Sequence, residues 1–125
     1  MLKQKRPVFL NLWQIQFPVT AIMSIMHRLT GVLLLLAIPF FIYALQLSLE
    51  SETGFKAVFQ FFDSAVIKLG MVLLIWSLLH HLLAGVRYLL LDIDMGIERQ
   101  QAKVTAWLVI ISAFVLVLLL VGVCL

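Results

Sequence analysis

Three long apolar segments constrain the fold of this chain more than any other feature. They cover about residues 22–49, 66–91 and 104–125, with polar residues between them. Each contains at least the roughly 20 residues that a helix needs to cross a hydrocarbon core of about 30 Å. A spanning segment must satisfy its backbone hydrogen bonds internally, so each segment is expected to be helical. The sequence predicts an all-α integral membrane protein with three transmembrane helices.

The composition excludes a water-soluble domain of this size. Of the 125 residues, 64% are hydrophobic and 12% are charged. A small soluble chain buries only about two-thirds of the surface that it exposes when unfolded, which is too little to hide so much apolar surface. We therefore expect one membrane domain over residues 1–125. The net charge of +3 does not indicate nucleic-acid binding, because the basic residues form no stripe on a soluble face. One cysteine, Cys124, excludes an intrachain disulfide.

The links between the apolar segments are polar. Residues 48–63 are predicted to form an exposed loop, whose second half, residues 55–62, has the pattern of a short interfacial amphipathic turn. Residues 92–103 are predicted to form the second exposed link. Pro39 lies inside the first predicted helix. A proline is tolerable there where neighbouring helices cover the backbone carbonyl that it leaves free.

Lysine and arginine residues predict the orientation in the membrane. Of the nine in the chain, seven lie on the side of the amino terminus: Lys3, Lys5, Arg6, Arg28, Arg87, Arg99 and Lys103. Basic residues concentrate on the cytoplasmic side, so the amino terminus is predicted to be cytoplasmic. The sequence shows neither the pattern of a cleavable signal nor that of an Arg/Ser-rich transit segment, which favours the bacterial inner membrane.

Two adjacent histidines, His80 and His81, lie within the second apolar segment. A polar side chain at this depth costs free energy unless it faces protein, water or a ligand. Gly85 lies one turn beyond His81 on the same face, which predicts a flat surface where a planar macrocycle can approach. An imidazole is a standard axial ligand of haem iron. Hydrogen bonding between helices and a proton relay are the alternatives. His80 points about 100° away and lacks such a glycine neighbour.

Arg87 lies on the cytoplasmic side of these histidines. It has two possible roles: its side chain can extend to the lipid headgroups, or it can pair with an anionic cofactor group such as a propionate.

The first predicted helix carries a second polar cluster. Ser24 and Arg28 lie one turn apart on one face, and His27 shares a face with Gly31. The arginine stays charged, so it must meet water, a lipid phosphate or a ligand. A hydroxyl donor and a guanidinium together form a pocket suited to a carbonyl-bearing ligand, whereas contact with lipid phosphate is the simpler alternative.

The depths of His27 and His81 bear on whether both can bind one iron. His27 is only a turn or two into its helix, so it is predicted to lie several ångströms nearer the cytoplasm than His81. Two axial nitrogens require nearly the same depth. We therefore expect His27 near the haem edge and the second axial ligand from another chain.

Taken together, the motifs indicate a known family. They are Arg6-Pro7, the segment Phe17-Pro-Val-Thr-Ala-Ile-Met-Ser-Ile-Met-His-Arg-Leu-Thr-Gly31, and His81-x-x-x-Gly85-x-Arg87 followed by Asp92. In length, helix number and motif order the chain resembles the cytochrome b556 membrane-anchor subunits of succinate dehydrogenase, the larger of the two anchors of respiratory complex II. The family often has a histidine after the arginine of the last motif, whereas Tyr88 stands here.

The resemblance implies a role for each cluster. His81 would be an axial ligand of a haem b shared with a second hydrophobic anchor subunit, whose own histidine would be the other ligand. His27 and Arg28 would lie near the haem propionates. Ser24 and Arg28 would line the ubiquinone site. The three transmembrane helices would pack with the second anchor into a bundle.

The resemblance also implies partners. A flavoprotein subunit with FAD and an iron-sulfur subunit would complete a heterotetramer on the cytoplasmic side, and the heterotetramers can further form a trimer. Electrons from succinate would then reduce ubiquinone, so the chain acts as an enzyme subunit and not alone. The alternatives are an anchor of quinol:fumarate reductase, which runs in the opposite direction, and a haem-free structural membrane protein. A small transporter is disfavoured, because three helices are few and no discontinuous helix is predicted.

Overall fold

Four α-helices make up most of the chain in a computed structural model that describes residues 16–124. They are α1 (Val19–Glu50), α2 (Glu52–Asp63), α3 (Ala65–Asp92) and α4 (Arg99–Cys124). Three of them, α1, α3 and α4, are long and apolar enough to cross a membrane, which confirms the predicted fold class. Lys3, Lys5, Arg6 and Pro7, on which part of the orientation and the resemblance rest, lie outside the described residues.

The first link was wrongly predicted to be a loop, because helix α2 occupies most of it. The hydroxyl of Ser51 accepts a hydrogen bond from the backbone N–H of Gly54 at 3.0 Å, which caps the start of α2. Glu52 and Lys56, one turn apart, form an ion pair with an N···O distance of 2.7 Å. A cap followed by an amphipathic pattern is sufficient to extend the expected turn into a helix of 12 residues.

Helix α2 folds back along the end of α1. Near the start of α2, Gly54 approaches Leu47 so closely that a side chain at this position would collide with the carbonyl oxygen of Leu47. Near its end, the ring centroids of Phe61 and Phe40 are 5.9 Å apart. The absence of a side chain at Gly54 and this aromatic contact fix the antiparallel path of α2.

The three spanning helices pack through small residues. Helix α3 contacts both α1 and α4, and Ala84, Ala106 and Ala113 are completely buried between them. Small side chains allow close approach of helices in membranes. Most of the large apolar side chains of α1, α3 and α4 point outwards instead.

Three polar residues of α3 face inwards. Ser77, His80 and Arg87 are buried together with Ala84, at spacings of three or four residues that place them along one face. This distribution, with polar groups inside and apolar groups outside, is the one expected where the surroundings are lipid. The buried polar side chains of α3 therefore lie close to α1 and α4.

Candidate functional site

His27 of α1 and His81 of α3 form a stacked pair. Their ring centroids are 4.1 Å apart and their planes differ by 9°. The ring of Tyr88 approaches His27 edge-on at a centroid distance of 5.2 Å. The two polar clusters that the sequence identified therefore meet at a single place in the fold.

A glycine of the opposite helix lies against each histidine of the pair. A Cβ atom placed on Gly31 of α1 would lie 2.9 Å from Cε1 of His81, and one placed on Gly85 of α3 would lie 3.8 Å from Nε2 of His27. Both helices thus contain the pattern His-x-x-x-Gly, and each histidine packs on the glycine of the other helix. This reciprocal contact sets the register of α1 against α3.

The reciprocal contacts also define where the two histidines lie along the helices. His27 lies level with Gly85 and His81 lies level with Gly31, so the two residues are offset by about one helical turn while their rings stack. The surface beside Gly85, predicted to admit a macrocycle, faces the ring of His27.

The His81 ring is held by α1 through its Nδ1 atom. This nitrogen lies 3.0 Å from the backbone oxygen of His27 and 3.4 Å from Oγ1 of Thr30. A backbone carbonyl can only accept a hydrogen bond, so Nδ1 carries the proton and donates. In the neutral ring the lone pair is then on Nε2, which is the arrangement of a metal-ligating histidine whose other nitrogen is fixed by a backbone carbonyl.

Thr30 was not assigned a role from the sequence. It is almost completely buried, and its hydroxyl lies 2.9 Å from the backbone oxygens of both Met26 and His27, to which it can donate. The Oγ1 lone pairs are thereby available to Nδ1 of His81. The repeated His-x-x-x-Gly pattern, with a small hydroxyl residue before the first glycine, is the signal that would have indicated this contact.

His80 is enclosed within the bundle. Its side chain has no exposed surface, and neither ring nitrogen has a hydrogen-bond partner within residues 16–124. Its ring is 5.5 Å from that of Trp76, which in turn lies 5.3 Å from Phe114 of α4. His81, in contrast, is only partly buried. The two neighbouring imidazoles therefore have different surroundings, and only His81 reaches the surface of this chain.

Arg87 joins α3 to the beginning of α4. The residue is 6% exposed, its Nε atom donates to Oγ1 of Thr105 at 3.0 Å, and its Nη2 atom donates to the backbone oxygen of Ala102 at 2.9 Å. Neither predicted role, extension to the headgroups or pairing with a propionate, matches this arrangement. Helix α4 begins at Arg99, earlier than expected, and its first turns supply the acceptors.

Ser24 and Arg28 remain accessible on α1. Arg28 is exposed and Ser24 is half-buried. They lie one turn apart beside the histidine pair, since His27 directly precedes Arg28. Residues 16–124 do not enclose them, so any pocket that they line would need groups from outside these residues to complete it.

Comparison with known proteins identifies the family. The sequence model described as "Succinate dehydrogenase/Fumarate reductase transmembrane subunit" matches residues 3–120. The chain is 33% identical to the succinate dehydrogenase cytochrome b556 subunit of Coxiella burnetii, over 92% of this chain and 93% of the relative. It is 34% identical to the subunit of the same name from Paracoccus denitrificans, over 91% and 88%, and 30% identical to that of Rickettsia felis, over 93% and 90%. This chain therefore belongs to the family of succinate dehydrogenase/fumarate reductase transmembrane subunits.

Proposed function

We propose that this chain is the cytochrome b membrane anchor of a succinate:quinone oxidoreductase, with His81 as an axial ligand of a haem b. The observation that carries the proposal is the contact at 3.0 Å between Nδ1 of His81 and the backbone oxygen of His27. With the proton on Nδ1, the lone pair of Nε2 is held in a fixed direction and is free to bind a metal. Haem b would supply one-electron transfer when bound. The names of the relatives, which are cytochrome b subunits, support the same cofactor.

The residues present fit a haem that is shared with a second chain. His80 is closed off inside the bundle, whereas His81 is accessible on one side, so His81 is the better candidate of the two. His27 stacks face to face with His81, and the two ring planes are nearly parallel. Two rings in this arrangement cannot bind one iron from opposite faces of a macrocycle. The second axial histidine is therefore expected from the partner anchor subunit.

Arg28 and His27 would hold the carboxylate groups of the haem. The exposed guanidinium of Arg28 offers several N–H donors in one plane, which suits a carboxylate. His27 directly precedes it in α1 and packs on the ring of His81. Positive charge at this place would also stabilise a bound anionic group against the surrounding lipid.

Ser24 and Arg28 would bind ubiquinone at the accessible end of the same cluster. A hydroxyl and a guanidinium one turn apart can both donate to a quinone oxygen. Donors aimed at that oxygen stabilise the negative charge that develops on it during reduction. Because residues 16–124 do not enclose the two side chains, the partner anchor and an iron-sulfur subunit would complete the site.

The proposed assembly is a heterotetramer in the bacterial inner membrane. It would contain a flavoprotein with FAD, an iron-sulfur subunit, a second hydrophobic anchor and this chain, with the amino terminus of this chain cytoplasmic. Association of the heterotetramers as a trimer is part of the same proposal. The family description covers fumarate reductase as well, so catalysis in the reverse direction is the alternative.

The haem assignment is tested by replacing each of the adjacent histidines. The complex is purified through a tag on this chain, and reduced-minus-oxidised visible spectra are recorded for His81→Ala and for His80→Phe. We expect His81→Ala to lose the haem signal and His80→Phe to retain it. Full haem content in the His81→Ala complex would refute the assignment.

The quinone site is tested by comparing two electron acceptors. In Ser24→Ala and Arg28→Leu complexes we expect slower reduction of ubiquinone but unchanged oxidation of succinate with an artificial soluble acceptor. Arg28→Lys, which keeps the charge without the planar fork of donors, should fall between the parent and Arg28→Leu. Ubiquinone reduction at the parental rate in Arg28→Leu would contradict the proposed site.

A further inference from the structure

The short helix α2 has an apolar surface that no described part of the chain covers. Phe55 and Phe59, one turn apart, are 57% and 67% exposed. These two side chains form what we call the phenylalanine pair of α2. Large aromatic groups so exposed at neighbouring positions indicate a surface that contacts something other than water.

The position of α2 in the chain places it at the membrane boundary. A single residue, Ser51, separates it from α1, and another, Ser64, separates it from α3. Both neighbours are candidate membrane spans of 32 and 28 residues. At about 1.5 Å per residue both are longer than a hydrocarbon core of about 30 Å, so their adjoining ends reach the headgroup region. Helix α2 must lie in that region as well.

The other two sides of α2 have identifiable surroundings: one packs on α1 and the other is polar and exposed. One side, with Gly54 and Phe61, packs on the end of α1. The side roughly opposite carries a polar stripe: Glu52, Lys56, Gln60 and Asp63, all of them exposed. Lys68 of α3 donates to Asp63 at 2.6 Å and holds the pKa of that carboxyl below its usual value. The carboxyl-terminal end of the stripe therefore stays charged.

The phenylalanine pair lies beside this stripe and continues an apolar surface of the neighbouring helices. Leu49 at the end of α1 and Val66 at the beginning of α3 are also largely exposed, at 77% and 79%. These helices are candidate membrane spans, so their outward apolar side chains are suited to lipid. Aromatic side chains are preferred where headgroups meet acyl chains.

We infer that α2 is an interfacial helix whose phenylalanine pair inserts among the lipids of the leaflet where α1 ends, with the polar stripe towards water. The occupant of this surface is phospholipid and not a protein subunit. The inference does not depend on haem or quinone binding. It fixes the rotation of α2 about its own axis relative to the membrane.

The test uses a photoreactive residue at neighbouring positions of the complete complex in native membranes. Phe59 is replaced by p-benzoyl-L-phenylalanine, which is close to phenylalanine in shape, and Gln60 on the polar stripe is replaced in the same way as the matched control. After irradiation, this chain is isolated and its intact mass is measured. We expect a phospholipid adduct at position 59 that is several-fold more abundant than at position 60.

Two results would overturn the inference. A crosslink from position 59 to another polypeptide would show that the phenylalanine pair is a subunit interface. Equal lipid adduct at positions 59 and 60, or none at either, would show that α2 has no lipid-facing side. Position 55, the other member of the pair, is tested in parallel and should behave like position 59.

Discussion

Replacing Gly31 by alanine should displace the ring of His81 and weaken the binding of any ligand to that ring. The added Cβ would lie 2.9 Å from Cε1 and 3.3 Å from Nδ1 of His81. Carbon atoms pack at about 3.5–4.0 Å, so the ring must retreat by roughly 0.6 Å or more. A retreat of that size directly away from the backbone oxygen of His27 would lengthen its contact with Nδ1 from 3.0 Å to about 3.6 Å, beyond hydrogen-bonding distance.

The expected loss of stability follows from the same geometry. Inserting a methyl group into a well-packed contact costs about 1–3 kcal/mol. Two other glycines of the spanning helices provide matched controls. A Cβ on Gly85 would be at an ordinary contact distance of 3.8 Å from His27, and one on Gly70 would meet no atom within 4 Å.

The three variants are compared in the purified complex by thermal unfolding and by the visible and EPR spectra of the proposed haem. We expect Gly31→Ala to lower the unfolding temperature and to change the haem spectrum, Gly85→Ala to have a small effect and Gly70→Ala to resemble the parent. Indistinguishable unfolding temperatures and spectra for Gly31→Ala and Gly70→Ala would refute the reasoning.

Three further predictions concern polar residues of the bundle near His27 and His81. Thr30→Val removes the hydroxyl beside Nδ1 of His81 and should shift the haem midpoint potential, whereas Thr30→Ser should keep the parental value; equal potentials in both variants would contradict this. His80→Phe removes two buried nitrogens that have no hydrogen-bond partner within residues 16–124. Each buried polar atom left without a partner costs about 1–3 kcal/mol of stability, so the unfolding temperature should be unchanged or higher; a clear decrease would show that His80 has a hydrogen-bond partner in the complex. Arg87→Met removes the donor to Thr105 and one of the donors to the backbone oxygen of Ala102, which keeps the hydroxyl of Thr105 at 3.3 Å; it should destabilise the complex by about 1–3 kcal/mol in thermal unfolding. Arg99→Met, at an exposed position, should have little effect, and similar losses in both would argue against the contact.

The sequence was sufficient to predict the spanning helices, because their length and apolar composition determine them. It also identified His27 and His81, which meet at the candidate site, but not Thr30. It could not predict that the two rings stack, since that depends on the contacts with Gly31 and Gly85 and not on distance from a helix end. The partners of Arg87 were missed for a related reason: α4 begins earlier than its apolar residues suggest.

The contact between His81 and the carbonyl of His27 has a consequence for the order of assembly. Both groups belong to one polypeptide, so the orientation of the imidazole is settled while this chain folds. If His81 ligates a haem as proposed, the entropic cost of immobilising its side chain is incurred before the cofactor binds, which favours tighter binding. On the same proposal, a newly inserted subunit would present a preorganised half-site, and the second anchor would supply the remaining ligand.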